Sequence, residues 1–254
     1  MIKKFEDLTF TDDFMFCKVM QNPDLCKRLI EMILADTIGK ITYISVQHNI
    51  NTYEQAKSVR FDVLVQAENG KFYDVEMQVS NEKNIPKRMR FYQAAIDISF
   101  LDKGNFYNDL NDCFIIFICT FDTIGKNKPV YTFENICLED KNISLQDGTK
   151  KVIINAEAFK NTKNKELKEF LEYLKTGKAN SEFTRRIEEM IQTVKQNEQA
   201  RQEYRLMSTF EMDAIEKGIY RKVIETAKLM KMEKCDNNFI MRITGLSEAE
   251  IEEL

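Results

Sequence analysis

Two ten-residue segments, SVRFDVLVQA (58–67) and KFYDVEMQVS (71–80), flank Glu68-Asn69-Gly70, and this arrangement restricts the fold more than any other stretch of the chain. Both are rich in β-branched and aromatic residues with a period of two, which reads as a pair of strands. A three-residue hairpin loop built on a type I turn needs a left-handed third residue, and Gly70 stands there. With Ala67 paired to Lys71, Asp62 falls opposite Glu76 and Arg60 opposite Gln78. A two-residue Asn69-Gly70 loop would instead set Asp62 against Met77 and turn its carboxylate into an apolar layer, which is costly.

Alternation assigns Tyr73, Val75, Met77 and Val79 to one face and Asp74, Glu76 and Gln78 to the other. In the first strand Val59, Phe61, Val63 and Val65 are predicted to share the apolar face, leaving Arg60, Asp62, Leu64 and Gln66 opposite. Two carboxylates directly across a sheet repel unless something positive sits between them. A divalent cation resolves the conflict. Hard oxygen donors suit Mg²⁺ or Mn²⁺, an ion that can generate hydroxide and stabilise charge on a phosphate. The bland alternative is a solvated sheet face on which Arg60 bridges to Asp62 or Glu76; spacing by itself leaves both open.

Around this hairpin the pattern reads as an α/β order. Thr9 to Asp13 opens a helix carrying Phe14, Met15, Val19 and Met20, and a second helix covers Asp24 to Leu34. ITYISVQH (41–48) is a strand. Pro86 can occupy the first turn of a helix running to about Asp102, and Cys113 to Phe121 is an apolar run expected of a strand buried on both faces. Pro129 to Leu138 and Ile143 to Asn155, the latter broken at Asp147-Gly148, read as further strands and a hairpin. From Ala156 the pattern is helical, so the chain is divided near residue 158, into 1–158 and 159–254. Near the end, Gly245 closes one helix, and Ser247 with Glu250 forms a capping box for the next. That last helix carries four glutamates, so it is expected to pack or dimerise rather than to read a phosphate backbone.

Only 8 Gly and 3 Pro in 254 residues exclude fibrous and low-complexity classes. The first ten residues interleave charge with apolar side chains, and no apolar run is long enough to span a bilayer, so a cytoplasmic protein without membrane contact is expected. The six cysteines form no CxxC pair and are expected to be small buried hydrophobes. A net charge of −4 argues against coating nucleic acid by charge alone, but not against an enzyme with a local basic strip. His48 at the end of a strand carries no expected catalytic role.

Asp62 followed by Glu76-Met77-Gln78 resembles the PD-(D/E)xK nuclease pattern in its variant with Gln in the lysine place. TDDFMFCKVM (11–20), VRFDVLVQ with FYDVEMQ, PKRMRFYQA (86–94) and the terminal TGLSEAEIEEL together are similar to the family of recombination-promoting nucleases and transposases within that superfamily. The resemblance implies a restriction-endonuclease-like core of helix, three strands, helix and strand with a mixed sheet, followed by a C-terminal helical region. It also implies Mg²⁺-dependent hydrolysis of DNA phosphodiester bonds, in recombination or mobile-element processing. By matching position, Asp62 and Glu76 would hold the metal, and Gln78 would place the attacking water or polarise the phosphate. Gln78 cannot supply the usual positive charge, so a cation must come from elsewhere, with Lys87 or Arg88 nearest in sequence. Asp13 and Arg60 are possible helpers, and Arg88, Tyr92 and Gln93 are candidates for phosphate binding on the helix after the hairpin. A nuclease fold kept as a DNA-binding or protein-interaction module, and a homodimer formed through the C-terminal helices, are the companion expectations.

Overall fold

The computed structural model describes residues 3–46, 49–50 and 59–254; His48 and the first residue of the 58–67 segment lie outside the described residues. Two helices, α1 (Asp13–Met20) and α2 (Pro23–Leu34), precede the sheet. Asn22 caps α2, its side-chain oxygen accepting from the backbone N–H of Asp24 and Leu25, with Pro23 at the first helical position. Strands β1 (Ile41–Val46), β4 (Val63–Ala67) and β5 (Phe72–Gln78) then form an antiparallel meander. Short β2 (Asn49–Ile50) and β3 (Val59–Arg60) pair with each other.

Helix α3 (Ile85–Phe100) is the crossover that lets β6 (Cys113–Cys119) run parallel to β5. Strand β8 (Thr149–Asn155) continues parallel to β6, and the edge strand β7 (Val130–Phe133) returns antiparallel, giving a six-stranded mixed sheet in the order β1-β4-β5-β6-β8-β7. CFIIFIC in β6 is covered on both faces, as its unbroken apolarity requires. On the α3 side, Leu64, Phe72, Ile115, Phe117 and Ile153 pack with Ile85, Met89 and Ile96 of the helix. Val63, Val65, Tyr73, Val75 and Met77 alternate to the opposite face and are buried too.

One strand differs from the alternation read in the sequence. Val59 and Phe61 belong to the α3-side cluster with Leu64, not to the face of Val63 and Val65. The strand is interrupted at Phe61 and Asp62, between β3 and β4, and β1 carries a register shift between Tyr43 and Ser45 against Val65 and Leu64. Such irregularities re-aim side chains, and this one resets the phase at the position of Asp62.

The chain divides into two compact units, 3–197 and 198–254. The first includes α4 (Lys165–Thr176) and α5 (Glu182–Gln196), whose Phe170, Leu171, Ile187 and Ile191 are buried. The sheet ends at Asn155, and the compact unit runs on past the boundary expected near residue 158 through two amphipathic helices to Asn197. The second unit holds α6 (Glu198–Met232), α7 (Asn237–Thr244) and α8 (Glu248–Glu252), with Ala227, Ile240, Leu246 and Ile251 as its core. Gly245 ends α7 at φ 74°, and Ser247 and Glu250 form the capping box of α8. Among the described residues no helix is long and apolar enough to cross a membrane.

Candidate active site

The hairpin closes as its turn chemistry requires: Ala67 N–H donates to Lys71 O and Gly70 N–H to Ala67 O, each at 2.9 Å, and Gly70 sits at φ 83°. The register follows, with Val65 opposite Tyr73, Leu64 opposite Asp74 and Val63 opposite Val75. One step further the ladder changes character. Asp62 N–H donates to Glu76 Oε1 at 2.8 Å, and Met77 N–H donates to Asp62 Oδ2 at 3.1 Å. Each carboxylate thus accepts an N–H from the other's strand, and the two side chains clasp the strands where the backbone rungs stop.

The face they occupy is not solvated. Asp62 is 5% exposed, Glu76 1% and Asp74 0%. A surface salt bridge is therefore no account of them, and Arg60 reaches instead toward Asp13 of α1, Nη2 to Oδ2 3.9 Å. Burial raises the Asp62 pKa to about 7, with the nearby charge of Asp13 adding to it. Burial also holds Glu76 well above the ordinary carboxylate range, reinforced by Asp62 and then Asp74. Asp74 is raised by burial and by Asp62. Three acidic groups in one low-dielectric layer resist ionising together.

Arg88, on the first turns of α3, is the cation that reaches this layer. Its Nη1 donates to Gln78 Oε1 at 2.7 Å, and its Nη2 donates to Tyr92 Oη at 3.0 Å and lies 3.4 Å from Glu76 Oε2. The guanidinium also lies over the rings of Tyr92 and Phe117. Burial pushes the Tyr92 phenol up to about 12, and its ring meets Phe61 edge-on. Helix geometry explains the selection: Ile85, Met89, Tyr92 and Ile96 face the sheet, Arg88 flanks that stripe, and Lys87 is exposed. Gln78 is engaged at both ends, its Nε2 donating to Met77 O at 2.8 Å. Gln93 lies outside this network and accepts from Lys151 Nζ at 2.7 Å.

Asp74 was not singled out by sequence reasoning, although alternation put it on the same face as Glu76. Its spacing of two from Glu76 on one strand face stands in the sequence, whereas the cover of that face by α3 does not. Among the described residues no three His, Cys, Asp or Glu side chains converge to cage an ion by themselves. Two carboxylates supplemented by water fit a hard ion such as Mg²⁺, which keeps much of its hydration shell. The raised carboxyls and the Asp74 oxygens, to which no protein N–H or hydroxyl donates, fit it as well, since a divalent charge would relieve both conditions.

The model of the PD-(D/E)XK nuclease family transposases matches residues 5–237, spanning every element that builds this site. The chain belongs to that family. No curated protein and no solved structure gives a match to it. As a PD-(D/E)XK family member it has a mixed α/β core with a helical C-terminal part and supports a nuclease or transposase-like role. Gln78, expected from the sequence in the lysine place, is neutral and accepts from the Arg88 guanidinium through its amide oxygen.

Proposed function

We propose that this protein is a metal-dependent DNA endonuclease that hydrolyses phosphodiester bonds in recombination or mobile-element processing. The observation that carries the reading is the cross-strand clasp of Asp62 and Glu76, buried, short of positive charge and touched by Arg88. Asp62 and Glu76 would hold Mg²⁺ or Mn²⁺, which when bound supplies an activated water and charge stabilisation at the phosphate. Arg88 brings the positive charge that a lysine provides in the usual motif, its terminal nitrogens hydrogen-bonded to Gln78, Tyr92 and Glu76. Gln78 fixes the Arg88 fork through its amide oxygen, and Tyr92 fixes it from the helix side. Asp13 and Arg60 flank Asp62 from α1 and the strand, where they tune its charge. Exposed Lys83 ahead of α3 and Lys87 on its first turn would meet the DNA backbone.

One observation favours a second reading, a nuclease fold used as a DNA-binding or protein-interaction module: the lysine place is neutral, and its amide is fully engaged. Nicking of supercoiled plasmid by the full chain decides between the two. The nuclease reading expects Mg²⁺- or Mn²⁺-dependent nicking that falls by about three orders of magnitude in Asp62→Ala and Glu76→Ala, a loss of roughly 4 kcal/mol of transition-state stabilisation. Purified protein that leaves plasmid intact with either metal sinks it, and an RNA substrate in the same assay tests the remaining nucleic acid. The helical C-terminal part is proposed to serve packing or self-association, which exposed Phe210, Ile215 and Ile219 on α6 support.

A further inference from the structure

Asp74 is a buried carboxyl that the clasp does not use. It is fully buried, and no N–H or hydroxyl of the protein donates to its oxygens, whose polar neighbour is the Glu76 carboxyl. No other carboxylate among the described residues is in that state. Its partners across the sheet are Leu64 on β4 and Ile115 on β6, and Phe72, two positions earlier on the same face, packs in the cluster under α3. An aliphatic side chain would fill this slot without loss, whereas a buried carboxyl with no protein N–H or hydroxyl donating to it costs folding free energy. Packing therefore gives no reason for an acid here.

Position gives one. Alternation sets Asp74 on the same face as Glu76, one pleat deeper along β5. It is close enough that each of Asp62, Asp74 and Glu76 sits within one electrostatic cluster. An ion held by only two carboxylates retains waters, and those waters need acceptors behind the ligands. The oxygens of Asp74, with no protein N–H or hydroxyl donating to them, are the available acceptors on the sheet side.

We infer that Asp74 is an outer-sphere acceptor of the metal site, a positioning residue that takes hydrogen bonds from the hydration shell of a divalent ion held by Asp62 and Glu76. This rests on the nuclease reading above, and it assigns Asp74 a role outside the three-residue motif. The role makes a stability cost and a binding gain two sides of one residue.

The test is calorimetric titration of Mn²⁺ into the full chain, with the metal-free thermal midpoint measured alongside, for wild type, Asp62→Ala, Asp74→Asn and Asp74→Leu. Asp74→Leu is expected to raise the metal-free midpoint by about 2–4 °C and to weaken Mn²⁺ binding about 10- to 100-fold. Asp74→Asn, which keeps the shape, is expected to move both in the same directions by less, and it carries the result should leucine prove too large to fold. Unchanged Mn²⁺ affinity in Asp74→Asn overturns the inference while leaving the nuclease reading intact. A lowered metal-free midpoint in Asp74→Asn overturns it too, because the carboxyl would then be satisfied within the protein. Wild type that binds no Mn²⁺, or binds it as well as Asp62→Ala does, is instead a failure of the nuclease reading.

Discussion

Asp122 and Glu76 lie toward the C-terminal ends of neighbouring parallel strands, Asp122 three residues beyond β6 and Glu76 within β5, yet their surroundings are opposites. Asp122 accepts from the backbone N–H of Ile124, Gly125 and Asn127 and from the Tyr131 hydroxyl. Burial is the largest single influence and pulls its pKa up, but the N–H groups of Gly125, Asn127 and Ile124 and the Tyr131 hydroxyl together outweigh it and leave it below the ordinary value. Glu76 has one backbone donor, a distant guanidinium contact and two acidic neighbours, and it stands well above the ordinary value. Asp122 is a carboxylate whose donors are complete, and it organises a loop. The Asp62, Asp74 and Glu76 group is one whose donors are incomplete, and what it lacks is positive charge. Incompleteness of this kind, in a covered layer of the sheet, separates a site from a structural turn.

The largest expected effect tests the supply of that charge. Arg88→Ala is expected to lower the plasmid-nicking rate about 10²- to 10³-fold, the usual consequence of removing one fixed donor from a transition-state site. Arg88→Lys should recover part of the rate, restoring charge without the two-pronged fork, whereas Lys87→Ala should stay within a few-fold of wild type. Equal losses in Arg88→Ala and Lys87→Ala, measured as initial rates at saturating metal, would remove Arg88 from its special place. On the other side of the comparison, Asp122→Ala is expected to cost about 2 kcal/mol of stability in urea unfolding through loss of several accepted hydrogen bonds. It should leave Mn²⁺ affinity unchanged. A weakened affinity would mean that the loop and the site are one system.

A smaller effect concerns pH. Folded Asp62 holds its proton up to about 7, while the unfolded chain releases it near the ordinary 3.8, so between those values the folded state binds the extra proton. Stability carried by this group is present below that window and declines as pH rises through it, the reverse of a salt-bridged carboxylate. Comparing metal-free wild type with Asp62→Asn by urea unfolding from pH 4 to 8, the variant should gain on wild type as pH rises to about 7 and hold that gain above it. A difference that stays flat across that range would mean that Asp62 is ionised throughout.

Much of this geometry was legible in the residues. Gly70 fixed the loop, the loop fixed the register, and the register set Asp62 against Glu76. The unbroken CFIIFIC run announced a strand covered on both faces, and the Ser247 and Glu250 cap was readable from spacing. The strand phase at Phe61 was not, because an interruption between two alternating segments leaves no mark in the alternation itself. Asp74 was missed for a tertiary reason: a polar face looks the same in sequence whether water or α3 covers it. The choice between Lys87 and Arg88 turned on about 100° of helix rotation, which depends on how the Ile85, Met89, Tyr92 and Ile96 stripe seats against the sheet.

The most direct measurement is the thermal midpoint of wild type and Asp62→Asn at pH 8, each with and without Mn²⁺. Without metal the variant should melt above wild type, since it keeps an acceptor for the Met77 N–H and loses a buried charge. With saturating Mn²⁺ the order should reverse, wild type rising by several degrees through ligand linkage while the variant barely moves. A variant that melts below wild type without metal, or a wild type indifferent to Mn²⁺, would contradict a carboxylate cluster that lacks positive charge and takes it from a divalent ion.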